Sequence, residues 1–224
     1  MTTSPSAETW DAIYASGRAT RVWPSEDVIR FCARRLRGGA DGVAPWIGQR
    51  VLEVGCGNGA NLWYLTSQRY VTTGVDCSAL ALREAHLLCN VRDADGRAWL
   101  SLMEGRLGAL PFQRLGRYDA IIDCRASQHV AWSEHETVYR EYLELLKPGG
   151  WLFLLHLDDK TTDASQLERR TEDELFTWDD IEAGVYPHNG LVCMPPKGAL
   201  MTLVADCGFM IGRAPKALVL AQIP

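Results

Sequence analysis

Val51-Leu52-Glu53-Val54-Gly55-Cys56-Gly57-Asn58-Gly59-Ala60-Asn61-Leu62 runs from an apolar segment of strand length, past an acid, through three glycines at alternate positions, into residues of helical character. Glycine is needed where the backbone takes positive φ or must lie against a ligand. A helix that follows such a turn presents unpaired N–H groups and a partial positive charge. The stretch therefore predicts a strand, a nucleotide-binding turn and a helix, with a carboxylate or phosphate as a natural occupant. Its spacing is Gly-x-Gly-x-Gly rather than the Gly-x-Gly-x-x-Gly of the dinucleotide fingerprint, and no Gly-Lys-Ser/Thr phosphate loop occurs. A dehydrogenase is disfavoured on that spacing.

Val71-Thr72-Thr73-Gly74-Val75-Asp76 reads as a second buried strand ending in an acid, 17 residues beyond Gly59. That is near the distance at which a parallel α/β unit sets a carboxylate on ribose hydroxyls. In Gly55, Gly57, Gly59 and Asp76 the sequence resembles the class I S-adenosylmethionine-dependent methyltransferases. The resemblance implies an α/β, Rossmann-like fold: a seven-stranded, mostly parallel sheet of order 3-2-1-4-5-7-6 with helices on both faces. It implies that the glycine turn approaches the methionine part of the cofactor and that Asp76 holds the ribose. Cofactor contacts are expected from Gly55, Cys56, Gly57, Asn58, Asp76, Cys77, Leu107 and Cys124, with S-adenosylhomocysteine as product.

Composition narrows the partners. A chain of 224 residues with 47% apolar content fits one sizeable domain with an appended cap. The net charge of −5 and scattered arginines lack the basic footprint of a nucleic-acid binder, so a small-molecule substrate is expected. Seven cysteines without a Cys-x-x-Cys pair read as reduced thiols of a cytoplasmic protein rather than a zinc site. No apolar stretch reaches membrane-spanning length, and the start lacks the regions of a signal peptide. Oligomeric state is not legible here.

Residues 1–6 read as disordered, followed by a short helix over Glu8–Tyr14 carrying Trp10, Ile13 and Tyr14. Ser25 is a candidate N-cap for a helix that ends near Gly38-Gly39. Trp10-Asp11-x-x-Tyr14 and Trp23-Pro24-Ser25-Glu26-Asp27 are similar to the start of a methyltransferase branch that includes enzymes encoded among surface-polysaccharide genes, and more distantly to thiopurine methyltransferase-like enzymes. That similarity implies a lid of about 7–37 in which Trp10, Tyr14 and Trp23 close over the cofactor.

Ser78 to Asn90 reads as a helix capped by Ser78, with His86 as a surface or packed residue, and Ala98 to Met103 as the third strand. The exit Glu104-Gly105-Arg106-Leu107 matches the family segment that borders adenine. Many relatives have an acid where Arg106 stands, and arginine cannot accept a hydrogen bond. Leu107 is left to make a backbone contact.

Tyr118 to Asp123 reads as the fourth strand, followed by the loop Cys124-Arg125-Ala126-Ser127-Gln128-His129-Val130. Ligands collect at the carboxyl ends of strands where the strand order switches, and this loop belongs there. It is similar to the Asp-Arg-Ala-Ser loop and nearby histidine of the same branch, with Cys124 displacing Arg125 by one place. The Asn/Asp-Pro-Pro-aromatic motif of nucleic-acid amine methyltransferases is absent. A helix from Glu134 to Leu146 should stop at Lys147-Pro148-Gly149-Gly150, ahead of a fifth strand over Trp151–Leu157 that carries His156 near its tip.

Residues 158–195 break the pattern and read as a substrate-side cap. The adjacent acids Asp158 and Asp159 lack convergent ligands, so no metal is expected. A helix over Lys197–Cys207 and a hairpin, Phe209–Arg213 with Ala217–Ala221, close the chain.

These readings converge on a methyltransferase that moves a methyl group from S-adenosylmethionine to an O or N atom of a small acceptor, sugar-derived or a specialised metabolite. Transfer from a sulfonium needs alignment and exclusion of water, with a base for the leaving proton. His129 is the first candidate base and His156 the second, while Arg125 is a candidate to orient an anionic substrate group. The alternative is a class I domain that holds cofactor without chemistry, as a partner subunit, and Arg106 favours it.

Overall fold

In a computed structural model the described residues are 4–17, 23–37, 46–89, 99–156, 175–177, 191–193, 197–212 and 218–221. The centre is a parallel sheet of β1 (Arg50–Val54), β2 (Val71–Asp76), β3 (Leu100–Glu104), β4 (Tyr118–Cys124) and β5 (Leu146–Leu155), in spatial order 3-2-1-4-5. Two strands, β6 (Leu175–Thr177) and β7 (Leu191–Cys193), pair antiparallel in a separate ribbon. Beyond β5 the main sheet continues antiparallel through β9 (Leu218–Ala221) to β8 (Met210–Ile211).

Alternation along the strands divides the core. Leu52, Val54, Ile121, Leu152 and Leu154 face one side, packed against α5 (His135–Leu145) and α6 (Lys197–Asp206) through Val138, Tyr142 and Leu200. Val51, Ala120, Ile122, Phe153 and Leu155 face the other side. There they meet Val28 and Phe31 of α2 (Glu26–Phe31), Cys32 and Leu36 of the π turn that continues it, and Leu65 of α3 (Ala60–Ser67). A third cluster joins Leu62 of α3 to Ala85 and Cys89 at α4 (Ala79–Leu88). Strands that bury both faces are the continuous apolar runs from which they are legible in sequence.

Several boundaries differ from expectation. Residues 4–6 are ordered, because the Ser6 side chain accepts from Thr9 N at the start of α1 (Ala7–Ala15) and Ser4 is hydrogen-bonded on both sides. Ser25 occupies the N-cap position of α2 but makes no side-chain cap; its N–H donates to Asn61 Oδ1 at 2.7 Å. The Lys147-Pro148-Gly149-Gly150 stop lies inside β5, where the register to β4 shifts between Tyr118 and Ala120. Lys147 Nζ donates to Asp119 at 2.8 and 2.9 Å across that irregularity, so the stop signal is spent on a bulge rather than a free loop. The expected cap over 158–195 lies outside the described residues apart from β6 and β7, as do Asp158, Asp159 and the Gly38-Gly39 helix end. Among the described residues no helix is long and apolar enough to cross a membrane, and no disulfide is present.

At the start of α5, His135 is fully buried and burial pulls its pKa down to about 4. Its Nδ1 lies 3.0 Å from Ala131 O, a pure acceptor, so Nδ1 carries the proton. A histidine whose folded pKa is depressed contributes stability that is present above its unfolded pKa, about 6.5, and is lost as pH falls toward 4. Wild-type thermal stability is expected to fall over that window more steeply than that of His135→Asn, which keeps a donor for Ala131 O. Superimposable pH profiles of the two melting temperatures would contradict this.

Candidate functional site

The carboxyl ends of β1, β2 and β4 open onto a cavity of about 370 Å³, at the point where the strand order reverses between β1 and β4. The glycine turn forms its floor. Gly55, Gly57 and Gly59 have φ of +58°, +54° and +85°. A Cβ on Gly55 would stand 2.3 Å from Ala126 Cβ, and one on Gly57 would stand 2.6 Å from Tyr14 Oη. Side chains are thus excluded both by backbone conformation and by the neighbours closing on the turn.

Asp76 ends β2 beside this floor and is 8% exposed. Its Oδ2 accepts from Gly57 N at 2.8 Å and its Oδ1 from Ser78 N at 2.9 Å. Burial raises the carboxyl pKa, and the backbone N–H donors counter that rise. The acid ties the glycine turn to the start of α4 and keeps acceptor capacity for a hydroxyl donor.

Helix α1 forms a wall. Asp11 accepts from Ser78 Oγ at 2.5 Å and from Leu80 N at 3.1 Å, so an acid from α1 sits on the first turn of α4, where the helix dipole favours it. Those two hydrogen bonds hold the Asp11 pKa below the usual carboxylate value. With α1 pinned there, Trp10 and Tyr14 line the cavity. Tyr14 is half-buried next to Asp76, and desolvation raises its phenol pKa far above the ordinary value, so it stays neutral. Cys56 and Cys77 also stay protonated: burial pushes the Cys77 thiol up to about 12 and the Cys56 thiol well above its usual value. Neither is an activated nucleophile.

A second tie crosses the mouth. Ser4 Oγ accepts from Ala131 N at 2.9 Å and donates to Glu134 Oε1 at 2.9 Å, and Glu134 Oε2 accepts from Arg106 Nη2 at 3.1 Å. Arg106 is therefore turned toward Glu134 and the amino-terminal segment. Glu134→Ala is expected to speed hydrogen exchange at Ala131 and the first turn of α1 severalfold, while changing global stability by no more than about 1 kcal/mol, since the ion pair is partly exposed. Unchanged exchange in mass-spectrometric measurements would remove this role.

The β4 exit supplies the opposite wall. Asp123 is fully buried; its Oδ1 accepts from Ala126 N at 2.8 Å and Ser127 N at 3.1 Å, and its Oδ2 accepts from Tyr142 Oη at 3.0 Å. This fixes a turn in which Arg125 takes a φ of +73° while its N–H donates to Leu155 O at 2.8 Å. A non-glycine residue held left-handed at a cavity wall is strain of the kind kept at functional sites. The turn brings Cys124, Arg125, Gln128 and His129 to the cavity, with the His129 ring edge-on to Trp10 at 4.8 Å.

Of the residues expected to contact cofactor or substrate, all but Trp23 and His156 line this cavity, Asn58 and Leu107 included, while Gly59 of the glycine motif does not. Trp23 is 72% exposed and packs edge-on to Trp63 at 6.5 Å, because the Ser25–Asn61 bond anchors the start of α2 against α3 instead. His156 turns toward α5, its Nε2 3.3 Å from His135 Nε2, so the strand alternation that sequence left open takes it out of the cavity. Ser4, Pro5, Glu53, Asn61 and Gln128 line the cavity without having been singled out. Glu53, which accepts from Asn61 Nδ2 at 2.7 Å, was signalled by its place two residues before Gly55 of the glycine turn. Ser4 and Pro5 were hidden in a polar start that composition alone reads as loose. Among the described residues no group of three His, Cys, Asp or Glu could hold a metal ion.

Residues 51–150 match the methyltransferase domain family. The chain is 31% identical over 116 residues to a ubiquinone biosynthesis O-methyltransferase of Paracidovorax citrulli, covering 52% of this chain and 47% of that one. It is 32% identical over 116 residues to the protein of the same name from Albidiferax ferrireducens, covering 52% and 44%. The chain thus spans about half the length of the curated relatives it matches. Among solved structures, a SAM-dependent methyltransferase of Methanosarcina mazei superposes with a TM-score of 0.63 at 17% identity, over 79% of this chain and 93% of that one. A glycopeptide N-methyltransferase complexed with sinefungin gives 0.62 at 17% identity, over 88% and 93%. At those identities the likeness concerns the fold, which is the Rossmann-like fold of the class I SAM-dependent methyltransferases.

Proposed function

We propose, from the premise that residues 51–150 are a methyltransferase domain of the class I fold, that this chain binds S-adenosylmethionine in the cavity described and methylates an oxygen of a small acceptor. The observation that carries the reading is one continuous cavity floored by side-chain-free glycines and edged by Asp76. In this reading Gly55, Cys56, Gly57 and Asn58 lie along the methionine portion, and Asp76, with Cys77, meets the ribose hydroxyls. Leu107 borders the base, and Trp10 and Tyr14 cover the ligand from above. The choice of oxygen over nitrogen rests on the names of the relatives at about 30% identity.

When bound, the cofactor supplies a methyl group on a positively charged sulfur, an electrophile that needs no covalent enzyme intermediate. The chain's own contribution is position, dryness and proton handling. The walls from α1 and from the β4 exit hold aromatic and backbone surface against the reacting region and keep water out. His129, on the β4 wall, takes the proton of the acceptor hydroxyl. Arg125 is placed to orient an anionic substituent, as a guanidinium can do bidentately.

Isothermal titration with S-adenosylmethionine and S-adenosylhomocysteine tests the cavity assignment. Transfer of labelled methyl to a panel of phenols, catechols, sugar derivatives and amines tests the reaction. Binding of both cofactor forms with label on a hydroxyl acceptor is the expected outcome. Binding without transfer to any acceptor would overturn the catalytic part, and absence of binding would overturn all of it.

A further inference from the structure

Arginines that are scattered in the sequence gather in the fold at the end of the sheet opposite the cavity, where the parallel strands begin. Arg50 opens β1 and stands in register with Val71, the first residue of β2, while Arg69 lies just before that strand. Arg117 precedes β4 and donates from Nη1 to Leu146 O at 3.0 Å, at the start of β5. Helix α2 starts at the cavity end, where Ser25 N–H meets Asn61, so the π turn that continues it delivers Arg35 and Arg37 to the same end as the others. All are exposed, Arg37 partly.

Three of these guanidiniums lie over aromatic rings: Arg35 over Trp151 at 4.9 Å, Arg37 over Trp46 at 5.0 Å and Arg50 over Tyr118 at 5.1 Å. Stacking keeps the charge and fixes its place. Among the described residues none of these arginines makes an ion pair. Asp119 is taken by Lys147 and by the Arg50 N–H. Glu144 and Asp206 are exposed at this end too, but they belong to α5 and α6, which cover the opposite face of the sheet from α2, α3 and α4. A chain of net charge −5 thus carries a local excess of positive charge.

The same end bears aliphatic surface. Ile47, shortly before β1, is 48% exposed and Val71 is 37% exposed, while Leu87 and Leu88, in the last turn of α4, are 71% and 41% exposed. Single exposed aliphatics are ordinary, whereas a group of them among cations marks an interaction site. Cations with aliphatic side chains between them suit a layer of anionic headgroups over hydrocarbon, which takes the charge and buries the side chains. A single-stranded nucleic acid asks instead for open aromatic faces on which bases stack. Here Trp46, Tyr118 and Trp151 already carry the chain's own arginines.

We infer that this end of the molecule is a docking surface for an anionic lipid bilayer, with the cavity mouth turned away from the membrane. The negative remainder of the chain sharpens the orientation, since an anionic surface repels it. The cavity then opens to the aqueous side.

Cosedimentation of the full-length protein with vesicles tests this. Binding to vesicles of mixed phosphatidylcholine and phosphatidylglycerol is expected, weakening as salt rises, with none to phosphatidylcholine alone. Arg35→Gln, Arg50→Gln and Arg69→Gln are each expected to lower the partition coefficient about fivefold. Leu87→Gln combined with Leu88→Gln should lower it severalfold at high salt as well, because the apolar part is not screened. Arg140→Gln, on α5, should leave it unchanged. All of these side chains are exposed, and circular dichroism confirms that the variants are folded. Absence of binding to the anionic vesicles, or binding that the first four substitutions leave as strong as before, overturns the inference. If the protein ignores vesicles and instead binds a single-stranded RNA oligonucleotide, or pairs with a second copy in sedimentation equilibrium, the occupant is a different one and the inference falls. The measurement needs no cofactor, so its outcome stands apart from the methyl-transfer reading.

Discussion

Asp76→Ala is expected to weaken binding of S-adenosylmethionine by about 1–3 kcal/mol, roughly fivefold to more than a hundredfold in dissociation constant, measured by calorimetry. Two losses combine. On the proposed reading the ribose hydroxyls lose a charged acceptor, and the backbone N–H groups of Gly57 and Ser78 lose theirs. The second loss loosens the floor against the start of α4, so the effect belongs toward the upper end and a fall in melting temperature accompanies it. Asp76→Asn separates the contributions. An asparagine oxygen can still accept from Ser78 N, but its NH2 group would face the Gly57 N–H, donor against donor. If the carboxylate acts on the ligand, the Asn variant loses affinity with a smaller stability loss than the Ala variant. Unchanged affinity in both variants would take Asp76 out of the binding site.

The largest stability effect is expected at Gly55. An alanine there must adopt a φ near +58°, at a cost of about 1–2 kcal/mol for a side chain in the left-handed region. Its methyl would also stand 2.3 Å from Ala126 Cβ, and neither group is the flexible end of a long chain, so backbone must move. Overpacking of this kind adds about 1–3 kcal/mol. The total, about 2–5 kcal/mol, is a large share of the stability of an ordinary domain. Ala126→Gly removes the opposing methyl. The double variant Gly55→Ala with Ala126→Gly should recover the packing part and retain the conformational part, a coupling that a double-mutant cycle in denaturant reads directly. Additive effects would mean that the two loops do not close on each other in solution.

The two variants probe different joints of the same cavity. Asp76 ties the glycine turn to α4, and Gly55 lets the β4 exit close over that turn. The cavity depends on both, because its walls come from strand ends that are neighbours only where the sheet order reverses.

The parallel strands themselves, the glycine turn and the acid at the end of β2 were legible because each is written in a short span, whereas the order of the strands came only from the family resemblance. Val51–Val54 and Val71–Asp76 are short runs rich in β-branched residues, as doubly covered strands are, and alternate glycines mark a turn that side chains cannot enter. His129 was placed on the loop after β4, which lines the cavity, by the rule that ligands gather at strand ends, with Asp123 at the end of the strand before it. Local sequence carries such features because they depend on backbone conformation and on burial of consecutive residues. Tertiary structure decided what depends on contact between distant segments. The pairing of Asp11 with the start of α4, the Ser4–Glu134–Arg106 tie, the exclusion of Trp23 from the cavity and the turning of His156 toward His135 all join residues far apart in the chain. A side chain's direction is set by whatever packs against it, and no periodicity in the sequence specifies the partner.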